Sequence, residues 1–457
     1  MIVCKFGGTS VQDADAMTRL AGIIKARHKQ QPIVVASAMG KTTNLLLEVA
    51  QTAAGGKRQD ALDLLAKIKE KHIKEAQKMG IAVAEDWVLE IINTYFKEMR
   101  DLVKGLAALG ELTPRVSDAI ASYGERLSTA VLTQVLANNG MPAQLMDARE
   151  CIVTDDNYTR AGIIFDRTDA AIVGYFRPVL KAGKIPVFQG FIGRTTDGRT
   201  TTIGRGGSDY SAAIVGAALE AEDIQIWTDV DGIMTTDPRM VKEARRIRSI
   251  SFDEAAELAY FGAKVLHPAT IVPAVRKNIP VHVLNSYKPD QEGTTITGQA
   301  PECENPVKAI AFKSGITVVN VASTRMLMAY GFLKKIFEIF EHHKVPVDVV
   351  STSEVSVSLT VDETSKLWDI ITDLKKIGEV NVEGSKSIVC CVGDNLRNIP
   401  GVPHIACRAL QDLKIQMISQ GASAINITFV IDDEKLPEAV RGLHDAFFSK
   451  VDPVIFV

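Results

Sequence analysis

MIVCKFGGTS, residues 1–10, sets a short apolar strand against a lysine, two glycines and two hydroxyl side chains. Ile2–Phe6 reads as a buried strand, Gly7 and Gly8 as a turn where backbone can approach a ligand, and Thr9 or Ser10 as the cap of a following helix. Free N–H groups at a helix start favour an anion, and Lys5, one residue before the strand ends, adds a full positive charge there. A plain strand-to-helix turn with a surface lysine reads the same, so the rest of the chain must separate the two. Met17, Leu20, Ala21 and Ile24 recur at helical spacing, and PIVVASA, residues 32–38, is a second apolar strand. Strand, helix, strand opens an α/β fold.

Outward from there, residues 44–139 are helical in character, with charged amphipathic stretches at 60–79 and 84–109 that predict an inserted helical hairpin. Strands return as AQLMDA, KIPVFQGFIG, DIQIWTDV and IPVHVLNS, separated by helical stretches, which predicts a mainly parallel sheet sandwiched by helices. This domain is expected to end near Ser286, giving a first domain of 1–290. SYKPDQEGTTITGQAPECENP then reads as a connection. From Val307 the order strand, helix, strand, strand, helix, strand occurs nearly twice, including AIAFKS, ITVVNVAS, EVNVEG and SIVCCVG as strands and a terminal VDPVIFV. The duplicated α+β units are placed at 307–385 and 386–457, with the strand at 307–313 assignable to either.

A chain of 457 residues with 46% apolar content supports two or three cores. Its 52 lysines and arginines nearly balance 55 acidic residues, for a formal charge of −3, and no basic and aromatic cluster suggests nucleic acid. No apolar run reaches membrane-spanning length and no signal peptide opens the chain, so a cytoplasmic protein is expected. The six cysteines show no metal spacing and are read as reduced and mostly buried.

Chemistry concentrates in a few stretches. MGKTT, residues 39–43, resembles the end of a P-loop, but Val35 stands where the first glycine is required. Ser37, Gly40 and Thr43 still follow a strand and precede a helix, where either capping or binding accounts for them. TTTIGRGGSDYSAA, residues 200–213, holds Arg205, Ser208 and Asp209 in a glycine-rich turn leading into a helix, suited to a carboxylate on the arginine and an anion at the helix start. DIQIWTDVDGIMTTDPR ends a strand in Thr228, Asp229 and Asp231 and runs on through Thr235, Asp237, Pro238 and Arg239, where open α/β sheets bind ligands. Consecutive turns explain Gly232 and Pro238 there, but not the whole set.

KFGGTS, SAMGKTTN, SYGERLS, GRGGSDYSA, WTDVDGI, TTDPR and FGAKVLHP, in that order, resemble the aspartate kinases of the amino-acid kinase fold, and the duplicated C-terminal unit resembles their paired ferredoxin-like ACT domains. The resemblance covers essentially the whole chain. It implies ATP-dependent phosphorylation of the side-chain carboxylate of L-aspartate to 4-phospho-L-aspartate, the first step toward lysine, threonine and methionine, with magnesium accompanying the nucleotide. By the same resemblance Lys5, Gly7 and Gly8 form the phosphate end of the site, Arg205 holds the substrate carboxylate and Glu125 its ammonium, with Ser37, Thr43, Ser208 and Asp209 completing the pocket. Read locally, Glu125 would be a solvated helix carboxylate. Thr228, Asp229, Met234, Asp237, Arg239 and Lys264 resemble the nucleotide-binding set; Met234 stands where several relatives carry an aromatic residue against the base. His267 is assigned to structure, because a carboxylate nucleophile needs no general base.

The resemblance is to the lysine-sensitive type. It implies L-lysine as an inhibitor walled by Met326, Gly331, Phe332 and Leu333 and contacted by Asp348, Ser353 and Glu354, in a homodimer or larger assembly joined through the ACT domains. With no room left for a dehydrogenase domain, a monofunctional enzyme is expected. A kinase for glutamate or acetylglutamate and a catalytically inactive amino-acid sensor are the alternatives.

Overall fold

The computed structural model describes residues 1–81, 87–262, 270–323 and 330–457. Lys264, His267 and Met326 lie outside the described residues. The chain divides into two compact units: 1–233, 249–252 and 265–300 in the first, and 234–248, 253–264 and 301–457 in the second.

The first unit contains β1 (Ile2–Phe6), β2 (Pro32–Ala36), β3 (Ala143–Met146), β4 (Val153–Thr154), β5 (Ile185–Gln189), β6 (Ile192–Thr195), β7 (Thr200–Thr202), β8 (Asp223–Thr228), β9 (Ser249–Ser251), β10 (Val281–Asn285) and β11 (Thr294–Thr297). Eight of them form one sheet in the order β3-β5-β2-β1-β8-β10-β11-β9, parallel from β3 to β10, with β11 antiparallel to β10. The sheet therefore runs past Ser286. β4, β6 and β7 make a small separate sheet.

Strands β1, β2 and β5 are buried along their whole length, as expected for parallel strands covered on both faces. Their alternation divides the core. Ile2, Cys4 and Phe6 join Met17, Leu20, Leu127 and Val131 in one cluster, while Val3 points the other way, toward Gly216 of the helix Gly207–Leu219. The predicted hairpin is present as the helices Arg58–Lys78 and Trp87–Leu109, whose Leu65, Ile68, Ile92 and Phe96 extend the first cluster.

Neither Thr9 nor Ser10 caps the first helix. A short 3₁₀ turn, Gly8–Val11, intervenes, and the cap of Ala14–Ala26 is Asp13, which accepts the Ala16 N–H at 2.9 Å. Ser10 instead donates to the Ser286 hydroxyl at 2.9 Å.

The second unit holds β12 (Ala309–Ala322), β13 (Val350–Thr352), β14 (Ser356–Val361), β15 (Glu379–Val392), β16 (Ile415–Gln420) and β17 (Asn426–Asp432) in one antiparallel sheet, ordered β13-β14-β12-β15-β17-β16. The four short strands expected from AIAFKS, ITVVNVAS, EVNVEG and SIVCCVG are thus two long ones. Each is bent where it passes from one half to the other: the β12–β15 register shifts on either side of Ile316, beside Gly315 at φ +73°, and Ser385 takes φ +56°. Residues 316–322 with β13, β14 and the helices Phe332–His343 and Leu367–Leu374 form the first half, whose core includes Val319, Ile336, Phe340, Leu359 and Leu374. In the second half, residues 309–313 pair with 388–392, which pair in turn with β17. The terminal VDPVIFV pairs with residues 246–248 through backbone bonds such as Arg248 N–H to Ile455 O at 2.8 Å.

Candidate active site

The parallel strands deliver their carboxyl ends to one edge of the sheet, and the chain order reverses at β1, with β2 on one side and β8 on the other. Ligands of open α/β sheets bind outside such a reversal. There, Gly7 N–H bonds Trp227 O at 3.2 Å, Ser37 N–H bonds Phe6 O at 3.1 Å, and Gly40 N–H bonds Gly8 O at 3.0 Å. The Gly7 donor is engaged by β8, and the lack of a side chain on Gly7 leaves space beside the Lys5 ammonium, 3.5 Å from where a Cβ would stand. A side chain on Gly8 would stand 2.9 Å from Gly40 O, so this turn closes only with glycine.

Lys5 Nζ lies 2.6 Å from Asp209 Oδ1. Asp209 sits in the first turn of Gly207–Leu219, where a carboxylate is favoured by the helix dipole, and the helix follows Gly206 in the left-handed conformation. Ser37 Oγ donates to Ser208 Oγ at 2.9 Å, a contact made possible by Gly190, where a Cβ would fall 2.6 Å from Ser208 Cβ. Nothing in the sequence following β5 marks Gly190 for this role. Arg205 is exposed between Gly204 at φ +81° and Gly206 at φ +69°.

Glu125 departs furthest from its local reading. It lies on Tyr123–Asn138, is 4% exposed, and accepts the Ala38 N–H at 3.3 Å through Oε1, while its buried Oε2 makes no hydrogen bond among the described residues. Burial pushes its pKa up to about 8. The helix comes this close because Gly124 has no side chain: a Cβ there would be 2.8 Å from Ala38 Cβ and 3.1 Å from Thr43 Oγ1. Lys5, Ser37, Ser208, Asp209 and Glu125 are thus tied together by direct contacts or through the 37–38 turn, with Thr43 beside Gly124.

Among the remaining candidates of the first unit, Thr228 ends β8 and donates to Asp229 at 3.2 Å, and Asp231 is held by Lys288 at 2.7 Å. In the second unit, Arg239 forks onto Asp237, with its shortest contact 2.6 Å, and Met234 is half-buried. Gly331, at φ +80°, precedes Phe332–His343, with Phe332 buried and Leu333 exposed. The Asp348 carboxylate meets Lys313 at 3.2 Å and the Tyr260 hydroxyl at 2.8 Å, whereas Ser353 and Glu354 are exposed.

The arrangement offers a lysine and a helix start for an anion, an exposed arginine for a carboxylate and a buried carboxylate lacking a cation. Those are the complements of a phosphate donor and a small zwitterionic acid. The profile of the Amino acid kinase family matches residues 1–285, and that of the ACT domain residues 389–447. Aspartokinase 1 of Arabidopsis thaliana, a chloroplast protein, is 39% identical over 98% of this chain and 80% of its own length. The crystal structure of E. coli aspartokinase III in complex with aspartate and ADP, its R-state, superposes with a TM-score of 0.86 at 37% identity, over 98% of this chain and 100% of that one. The same enzyme in complex with lysine and aspartate, its T-state, gives 0.82 at 36% identity over 98% and 99%. The chain belongs to the amino acid kinase family and, within it, to the aspartokinases.

Proposed function

We propose that this aspartokinase transfers the γ-phosphoryl group of ATP to the side-chain carboxylate of L-aspartate and is inhibited by L-lysine. The observation that carries the reading is the Lys5–Asp209 pair at the strand edge, joined through Ser208 and Ser37 to the turn that meets Glu125. The substrate carboxylate is itself the nucleophile, so no residue need abstract a proton. Lys5 stabilises the negative charge that moves between donor and acceptor oxygens, and Asp209 holds its ammonium in place. Arg205 grips the α-carboxylate as a planar fork, and Glu125, once ionised, takes the α-ammonium on its unbonded oxygen.

Thr228, Asp229, Met234, Asp237, Arg239 and Lys264 are the residues we assign to the nucleotide. Magnesium would accompany the nucleotide, held by its phosphate oxygens and water rather than by a protein cage. When bound, magnesium neutralises phosphate charge. We place the two ACT repeats at 307–385 and 386–457, with 309–313 working in the second, and the lysine site at Met326, Gly331, Phe332, Leu333, Asp348, Ser353 and Glu354. A cationic effector would compete with Lys313 for Asp348, and Glu354 is exposed to receive it. Assembly through these repeats and a cytoplasmic location complete the proposal. No helix among the described residues is long and apolar enough to cross a membrane.

The test is ATP-dependent acyl phosphate formation with aspartate or glutamate, each with and without lysine. Aspartate should be turned over and lysine should suppress it. Equal turnover of glutamate, or no acyl phosphate from either acid, overturns the substrate assignment; indifference to millimolar lysine overturns the effector.

A further inference from the structure

Asp118 belongs to none of the motifs above, yet its surroundings are built with care. It lies on the helix Pro114–Ala121, is 2% exposed, and receives three uncharged donors. Oδ2 accepts the N–H groups of Thr159 and Thr202, both at 2.9 Å, and Oδ1 accepts the Thr202 hydroxyl at 2.7 Å. Bonds to a buried carboxylate are the strong ones, and a group left without them bears the full cost of desolvation.

Both partners border the turn that carries Arg205. Thr202 ends β7 and is directly followed by Ile203, Gly204, Arg205 and Gly206. Its carbonyl accepts the Ala161 N–H at 3.0 Å, and Ile203 N–H bonds Phe191 O at 3.0 Å, so the root of the turn is held from several sides. Thr159 is exposed and has φ +71°, a conformation costly for a β-branched residue and kept only where its surroundings over-determine it. It packs against the turn itself: a Cβ on Gly204 would lie 3.5 Å from Thr159 O and 3.6 Å from Arg160 Cγ. One carboxylate therefore fixes the strand entering the turn and the loop lying against it.

We infer that Asp118 is a positioning residue for the substrate: through Thr202 and Thr159 it sets the Gly204–Gly206 turn, and with it the point from which Arg205 reaches the substrate carboxylate. The inference rests on the reading of Arg205 above. A carboxylate that merely stapled a helix to β7 would contribute to stability and leave substrate affinity alone, so kinetics and coupling separate the two roles.

The experiment compares steady-state kinetics and thermal unfolding of Asp118→Ala, Asp118→Asn, Thr202→Val, Arg205→Ala and the Asp118→Ala/Arg205→Ala double variant. Asp118→Ala is expected to raise the aspartate KM about tenfold or more, with the ATP KM within about twofold of the parent. Asp118→Asn should recover most of this, because the amide oxygen can take both N–H bonds while its NH₂ donates to Thr202 Oγ1. Thr202→Val, which removes the hydroxyl bond alone, should raise the aspartate KM about threefold and serves if Asp118→Ala fails to fold. The double variant should be no worse for aspartate than Arg205→Ala, since residues acting through one contact do not add. Multiplying penalties in the double variant, an unchanged aspartate KM in a folded Asp118→Ala, or, where Asp118→Ala fails to fold, an unchanged aspartate KM in Thr202→Val overturns the inference. An unchanged aspartate KM in Arg205→Ala overturns the Arg205 reading and this inference with it.

Discussion

Two lysine–carboxylate pairs, one in each unit, set the same chemistry in different surroundings. Lys5 and Asp209 meet at 2.6 Å where β1 ends and the helix Gly207–Leu219 begins, and their side chains keep 10% and 14% of their surface open. Lys308 and Glu254 meet at 3.0 Å with only 2% and 0% exposed. The first pair stands beside a glycine turn and a helix start, so its charge remains available to a third party. The second is sealed, and its charges answer only to their buried surroundings. Distance alone would rank the pairs alike; access separates them, and only the first lysine is open enough to serve the catalytic role proposed for it.

The largest effect is expected at the sealed pair. Lys308→Met or Glu254→Leu alone strands a buried charge and should lower stability by about 3–5 kcal/mol, read from the urea midpoint, while the double substitution recovers most of it. Singles that lose less than about 1 kcal/mol would show the pair to be as accommodating as a surface bridge. At the open pair the loss should be kinetic instead. Lys5→Ala should reduce kcat roughly a hundredfold or more with little change in the unfolding midpoint. If the midpoint collapses while the surviving enzyme turns over normally, the contrast between the pairs disappears.

Arg205→Lys comes next. An ammonium cannot reproduce the guanidinium fork, so the aspartate KM should rise by an amount worth about 1.5–3 kcal/mol while the ATP KM holds. The most gradual effect is a slope with pH, set by Glu125 and worth at most about 1.4 kcal/mol per pH unit. Its folded pKa of about 8 exceeds that of an ordinary glutamate, so between about 4.5 and 8 the folded chain holds a proton that the unfolded chain has released. Stability should therefore fall as pH rises through that window, by at most one proton's worth of slope, and Glu125→Gln should flatten the curve. Aspartate should bind better over the same rise, because only the ionised carboxylate can meet an ammonium. A parent and Glu125→Gln with identical stability profiles would return Glu125 to the solvated carboxylate its helix suggests.

Legibility in the sequence followed the range of the forces involved. Ile2–Phe6 and the hairpin helices were readable because hydrophobic spacing is local. The first helix cap was misplaced because a 3₁₀ turn intervenes, and Asp13 looked no different from other acidic residues nearby. Merging four short strands into β12 and β15 depended on Gly315 and Ser385 turning to positive φ within a continuous ladder, which composition reads as a break. At the site, Lys5, Arg205 and Asp209 stood out beside their glycines. Glu125 emerged only through family resemblance, since its burial depends on Gly124 fitting against Ala38. Asp118 carried no signal: its partners come from distant stretches of chain, and an isolated aspartate in a polar helix predicts solvent.

The two bent strands also impose an order of events on the ribosome. Residues 309–313 emerge before any of the first half, but their partners at 388–392 follow only after that whole half has been made. At roughly 5–20 residues per second, this early ribbon waits several seconds with its apolar edge unpaired, long enough for the intervening half to fold first. The second half then closes around a finished neighbour. Slowing translation across residues 323–378 should leave the early ribbon open longer and raise its yield of aggregates, whereas a pause after Val392 should not.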